Sequence, residues 1–161
     1  MDLTHVHLLL NHSPIIGTLL GGSIMLWGIL RNQRTIQAVA AVVVIAISIM
    51  AIPVHLTGEP AEERVEHLPG VSEPIIEEHE EASELAIWVM AAAGLASLAA
   101  LLLRNRSDSK APFRIATVLT LVAFVAMARV GYLGGQIRHT ELRTNQASGE
   151  PVAGQEVENN E

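Results

Sequence analysis

Long apolar segments alternate with short polar ones along this chain. Four stretches are almost free of charge, and only the last contains a charged residue, Arg129; they cover residues 13–30, 36–56, 85–103 and 115–137. Each is close to the ~20 residues that an α-helix needs to cross ~30 Å of hydrocarbon. A spanning segment must satisfy its own backbone hydrogen bonds, which favours helices over strands. The pattern predicts an all-α, four-helix transmembrane bundle running up-down-up-down.

The same pattern predicts the domain organisation. We expect one membrane domain over residues 1–143, with helices at about 13–30, 35–56, 75–103 and 112–139. No cleavable signal peptide is expected, because residues 1–11 carry no positively charged region before the first apolar stretch. Residues 144–161 are polar and acidic and contain Gly149, Pro151 and Gly154, so they predict a flexible tail.

Charge predicts the orientation of the bundle. The two short loops between apolar segments hold basic residues, with Arg31 and Arg34 in one and Arg104, Arg106 and Lys110 in the other. Of the 17 acidic residues, only Asp108 lies in these loops. By the positive-inside tendency, the short loops are cytoplasmic. The termini and the loop 57–84 are then expected on the periplasmic face of a bacterial inner (plasma) membrane, which makes the chain a multi-pass protein.

Four of the seven histidines lie at the outward ends of the four apolar segments: His12, His55, His79 and His139. An up-down path places these ends on one face of the bundle, so the four imidazoles are candidate metal or haem ligands. The absence of cysteine excludes thiolate sites, iron–sulfur clusters and covalently attached haem. His5 and His67 are interpreted as surface residues, and His7 is intermediate.

Polar residues of the fourth segment follow the spacing of His139 on one helical stripe, namely Arg129, Tyr132 and Gln136. Such stripes are expected to face an interior site. An intramembrane charge such as Arg129 costs at least ~2.5–3.5 kcal/mol unless it has a partner. A haem propionate, a carboxylate such as Glu84 or helix carbonyls are suitable partners. Arg138 is a second candidate for a propionate. The hypothesis is therefore an electron-transfer subunit, rather than a stand-alone enzyme, that binds one or two b-type haems.

Two alternatives remain open at this point. Glutamates surround the same histidines, so a non-haem His/Glu site for iron or copper is one. A structural polar cluster in a cofactor-free accessory subunit of a larger membrane complex is the other. Besides the lipid membrane, the partners considered are a c-type cytochrome on the acidic loop, other redox subunits and quinone. Nothing in the sequence indicates nucleic acid as a partner.

Three segments resemble a known family. They are His7 to Ile15, with two histidines five apart and Pro14 following; Pro53 to Gly58, which includes His55; and Gly131 to His139. Together with His79 they resemble the bacterial four-helix membrane family called domain of unknown function 2231, over most of residues 1–140. The resemblance implies a four-helix membrane protein and, as an expectation for such families, haem binding.

Overall fold

The computed structural model describes residues 3–105 and 110–139, and every regular element in them is an α-helix. The tail predicted over 144–161 lies outside the described residues. The six helices are α1 (Leu3–Leu10), α2 (Ser13–Leu30), α3 (Arg34–Leu56), α4 (Gly58–Glu62), α5 (Glu73–Leu102) and α6 (Lys110–Arg138). The four long helices begin at, or up to two residues before, the positions expected from the sequence.

Four helical stretches are long and apolar enough to cross a membrane: Thr4–Leu30, Arg34–Leu56, Glu73–Leu102 and Lys110–Ile137. The first of them joins α1 to α2 through a turn, in which the Asn11 N–H donates to the His7 carbonyl at 2.8 Å. The prediction of an all-helical chain with four candidate spans is confirmed in the described residues. These spans suggest a multi-pass membrane protein.

Small residues let α2 and α3 pack closely and antiparallel. Gly17 lies against Ile47, Gly21 against Val44, and Gly28 against Gln37. The Gln37 amide also donates to the Gly28 carbonyl at 2.9 Å. As the residue numbers rise along α2, the numbers of the residues that they contact in α3 fall, so the two helices run in opposite directions. Close backbone approach of this kind is the usual basis of helix packing in membranes.

The other long helices complete a ring in which α2 and α5 each pack against α3 and α6. The α3–α5 contact is again built on a small residue, since Gly94 lies against Ser48, whose hydroxyl donates to the Met90 carbonyl at 3.0 Å. The centre is filled by small residues and methionine, with Met25, Met90, Ala41 and Ala93 fully buried.

The outer faces of the bundle are apolar. Leu95 is 68% exposed, Val125 66% and Leu30 72%. Contiguous apolar surface of this extent is unfavourable in water, whereas it is compatible with lipid hydrocarbon. The lipid membrane is therefore a plausible partner of these faces.

The two short helices meet at the end of the bundle where α3 ends and α5 begins. α1 packs against α4 and against the end of α3, and a Cβ added to Gly58 would lie 3.7 Å from Cε1 of His7. The sequence predicted neither α1 nor its contact with α4. This end, which we call the outer end, contains the candidate site.

Candidate functional site

The structure places the four predicted ligands in different surroundings. His12 is exposed at the N-terminus of α2, and His139 is exposed just after α6. His55 is also exposed, and its Nδ1 lies 3.1 Å from the Ser83 hydroxyl of α5. Only His79 is held within the packed part of the outer end.

His79 connects three elements. Its Nδ1–H donates to the Val130 carbonyl of α6 at 3.1 Å, and its ring packs on Gly134. Its Nε2 lies 3.5 Å from Oε1 of Glu62 in α4. The side chains of His79 and Glu62 are only 12% and 14% exposed. Because Nδ1 carries the hydrogen, the Nε2 of the neutral ring is an acceptor directed toward the Glu62 carboxyl.

His7 is anchored in the same way at the outer end. Its Nδ1–H donates to the Val54 carbonyl at 3.0 Å, and the Thr57 hydroxyl lies 3.4 Å away. His7 is also close enough to His79 to interact with it electrostatically. The outer end thus brings together His7 and His79, whereas the sequence grouped His79 with His12.

Among the described acidic residues outside the spans, the Glu62 carboxyl has the most perturbed pKa. Burial is the largest cause, followed by a hydrogen bond with Glu80 and by the negative charges of Glu80 and Glu59; together these raise the pKa of Glu62 from 4.5 to about 8. At pH 7 the carboxyl is therefore mostly protonated, and its contact with His79 joins two neutral groups rather than an ion pair. We call His7, Glu62, His79 and Glu80 the outer cluster.

A groove of about 710 Å³ runs beside the outer cluster between the end of α3, α4 and α5. Carboxylates, His55 and apolar side chains line it; the lining residues are His55, Leu56, Gly58, Glu59, Glu62, Glu80, Glu81, Ser83, Glu84, Ile87, Trp88 and Ala91. Because Glu62 and Glu80 line this outer groove, the outer cluster has a path to the surroundings.

Arg129 has a carboxylate partner, which is Glu78 rather than Glu84. Its Nη2 lies 3.0 Å from Oε1 of Glu78, so the pair joins α6 to α5. Both side chains are more than half exposed, and Tyr132 is 61% exposed. The expectation that this stripe faces the interior is wrong for Arg129 and Tyr132, because the buried face of α6 carries Met127, Leu133 and Ile137 instead.

The remaining predicted residues add little to the outer cluster. Gln136 is half-buried on α6. The side chain of Arg138 lies outside the described residues. Within residues 3–105 and 110–139, no three histidine, aspartate or glutamate side chains are arranged so that they could hold a metal ion. The predictions of haem, iron and copper therefore stay predictions.

Comparison with known proteins adds no relative to this description. No protein-family model, curated protein or solved structure matches the chain significantly. The likeness to domain of unknown function 2231 stays a prediction from the motifs.

Sequence reasoning counted Glu62 and Glu80 among the glutamates around the histidines but did not single them out, because nothing in that run of glutamates marks one as buried. Pro60 is the one local signal, since proline favours the first turn of a helix and predicts a short helix near Glu62. Which side of that helix is buried depends on α1, a contact between segments 50 residues apart.

Proposed function

We propose that this protein is a multi-pass protein of the bacterial inner membrane whose outer cluster takes up and releases protons at the periplasmic face. The observation that carries the proposal is the position of the Glu62 carboxyl, which contacts the His79 ring nitrogen on one side and the Glu80 carboxylate on the other. A group between two bases can pass a proton to either of them.

The orientation in this proposal rests on charge. Arg31 and Arg34 follow α2, and Arg104 follows α5, so the basic loops lie at the end opposite the outer cluster. The antiparallel contacts of α2 with α3, and of α3 with α5, support an up-down-up-down arrangement with both termini on the outer side. The positive-inside tendency then assigns the outer cluster to the periplasm.

The proton path follows from the contacts. With His79 anchored by Val130, its Nε2 can accept the Glu62 proton only after a movement of a few tenths of an ångström, since 3.5 Å is the outer limit of a hydrogen bond. Glu80 lines the outer groove and is the nearer of the two bases to solvent. We therefore propose that Glu80 exchanges protons with water and that Glu62 stores the proton. His79 accepts the proton on the buried side.

Electron transfer through a b-type haem is the second candidate. One observation favours it: His7 and His79 each anchor Nδ1 on a backbone carbonyl, as metal-bound histidines commonly do. Two observations oppose it. Glu62 occupies the Nε2 side of His79, and the groove beside His55 is lined by carboxylates, which would repel propionates. The described residues do not fit haem in this arrangement, so no step is derived through it.

The proton proposal is tested by infrared difference spectroscopy of the protein in lipid. We expect one protonated-carboxyl band that is lost as the pH rises through about 8 and is absent from Glu62→Gln. Glu63→Gln is the matched control, because Glu63 is the next residue and is exposed. The proposal is contradicted if the band persists in Glu62→Gln or if no carboxyl titrates above pH 6.

The haem candidate is tested by a reduced-minus-oxidised visible spectrum of protein purified from native membranes. A sharp α-band that is lost in His79→Ala, and retained in His12→Ala, would establish haem at the outer end and would displace the proton proposal. With haem at that end, quinone or a c-type cytochrome would also be suitable redox partners. A flat spectrum from a fully helical protein removes the candidate.

A further inference from the structure

A second groove lies at the opposite end of the bundle, between α2 and α3 close to the turn that joins them. Its volume is about 400 Å³, and its lining side chains are Ser23, Ile24, Trp27, Thr35, Ile36 and Val39. We call it the inner groove. Three of its lining side chains face outward from the bundle, since Trp27 is 52%, Val39 57% and Ile24 40% exposed.

The back of the inner groove is closed by tight helix packing. Gly28 lies against Gln37, and the Gln37 side-chain amide donates to the Gly28 carbonyl at 2.9 Å. This contact holds the two helices together behind Trp27 and Ile36. The inner groove is therefore a slot that opens toward the lipid rather than a gap that leads into the bundle.

Two arginines lie next to residues that line the inner groove. The Arg31 guanidinium stacks on the Trp27 ring, 4.7 Å from its centroid, and Arg34 begins α3 next to Thr35. No aspartate or glutamate occurs between residues 3 and 58, so these two arginines are the only permanent charges of the α2–α3 hairpin. An occupant must therefore combine an anionic head with an apolar chain.

We propose that the inner groove binds one anionic phospholipid, with its phosphate between Arg31 and Arg34 and an acyl chain against Trp27, Ile36 and Val39. Guanidinium groups bind phosphate through paired hydrogen bonds, and a cation near the membrane surface attracts anionic lipid. Tryptophan and arginine at a helix end are also typical of the interfacial zone in which lipid phosphates lie. The proposal requires insertion in a membrane but not the proton site.

Fluorescence quenching of Trp27 tests this proposal. The chain has two tryptophans, so Trp88→Phe leaves Trp27 as the only emitter. That variant is placed in nanodiscs with increasing fractions of brominated phosphatidylglycerol or, in a parallel series, brominated phosphatidylcholine. We expect half-maximal quenching at a several-fold lower fraction of the anionic lipid. Replacement of both arginines, as Arg31→Gln with Arg34→Gln, should remove the difference.

Two controls make the result specific. Trp27→Phe leaves Trp88, which lines the acidic outer groove and should show no preference for phosphatidylglycerol. Arg31→Lys with Arg34→Lys keeps the charge and should keep most of the preference, while circular dichroism verifies helicity. Equal quenching of Trp27 by both lipids, or a preference that survives the glutamine replacements, would overturn the proposal without affecting the proton site.

Discussion

At the scale of single residues, one glutamate is less accessible to water than its neighbours. Glu59, Glu63 and Glu80 are exposed, whereas the Glu62 side chain is 14% exposed and contacts His79. Removing a carboxylate from water disfavours its charged form, and nearby negative charges add to that effect. Glu62 is therefore the group at which the outer end holds a proton near neutral pH.

The raised pKa of Glu62 predicts a dependence of stability on pH. The folded state keeps this proton up to about pH 8, whereas an ordinary glutamate has a pKa of 4.5. The stabilisation is complete below pH 4.5 and is lost as the pH rises toward and through 8. We expect the melting temperature of the native protein, relative to Glu62→Gln, to fall across this window. If the difference in melting temperature between the native protein and Glu62→Gln did not change with pH, Glu62 would have an ordinary pKa. Glu63→Gln serves as the control.

At the scale of helices, glycines at the helix contacts set the spacing of the bundle. Gly17, Gly21 and Gly28 serve the α2–α3 pair, and Gly94 serves the α3–α5 pair. A Cβ added to Gly94 would lie 2.7 Å from both Cβ and Oγ of Ser48. Cβ is fixed to the backbone and cannot rotate away, so the helices themselves would have to separate.

Gly94→Ala is therefore expected to destabilise the bundle by about 1–3 kcal/mol, the usual cost of overpacking. Gly135→Ala is the matched control, because, its chain neighbours and the backbone of its own helix aside, no atom lies within 4 Å of its added Cβ. Since alanine favours helix over glycine, that variant should be neutral or up to about 1 kcal/mol more stable. Unfolding monitored by circular dichroism during titration with SDS measures both. Equal effects of the two substitutions would contradict this packing.

The helices were predictable because their signal is local. Each apolar segment is recognised from its own residues alone. As a result, α3 and α5 begin two residues or fewer before the expected positions. The site was only partly predictable, because it depends on contacts across the fold. His79 was a candidate from its place ahead of the third segment, whereas the importance of His7 follows from α1 packing on α4, which no periodicity indicates.

At the scale of the whole molecule, the two ends of the bundle differ in charge and chemistry. The outer end holds the glutamates and the two packed histidines, and the opposite end holds Arg31, Arg34 and Arg104. The positive-inside tendency orients a bundle with such a charge difference, and the membrane potential acts on its charged groups. The proposed proton exchange and the proposed lipid binding are located at these opposite ends.

Cysteine labelling tests the orientation, since the chain contains no cysteine of its own. Glu66→Cys places a thiol in the loop at the outer end, and Asn105→Cys places one after α5; both positions are exposed. We expect a membrane-impermeant maleimide to label Glu66→Cys on intact spheroplasts and to label Asn105→Cys only after permeabilisation. The reverse pattern would place the outer cluster in the cytoplasm.

The most direct test of the central claim is the response of Glu62 to pH on one side of a sealed membrane. Vesicles with uniformly oriented protein are exposed to an external pH jump from 6 to 9 while the carboxyl band is recorded. The account predicts that the Glu62 band disappears at once when the outer cluster faces the bath, and that Glu62→Gln shows no such change. A band that is insensitive to the pH on that side, or that follows the pH of the opposite side, would contradict it.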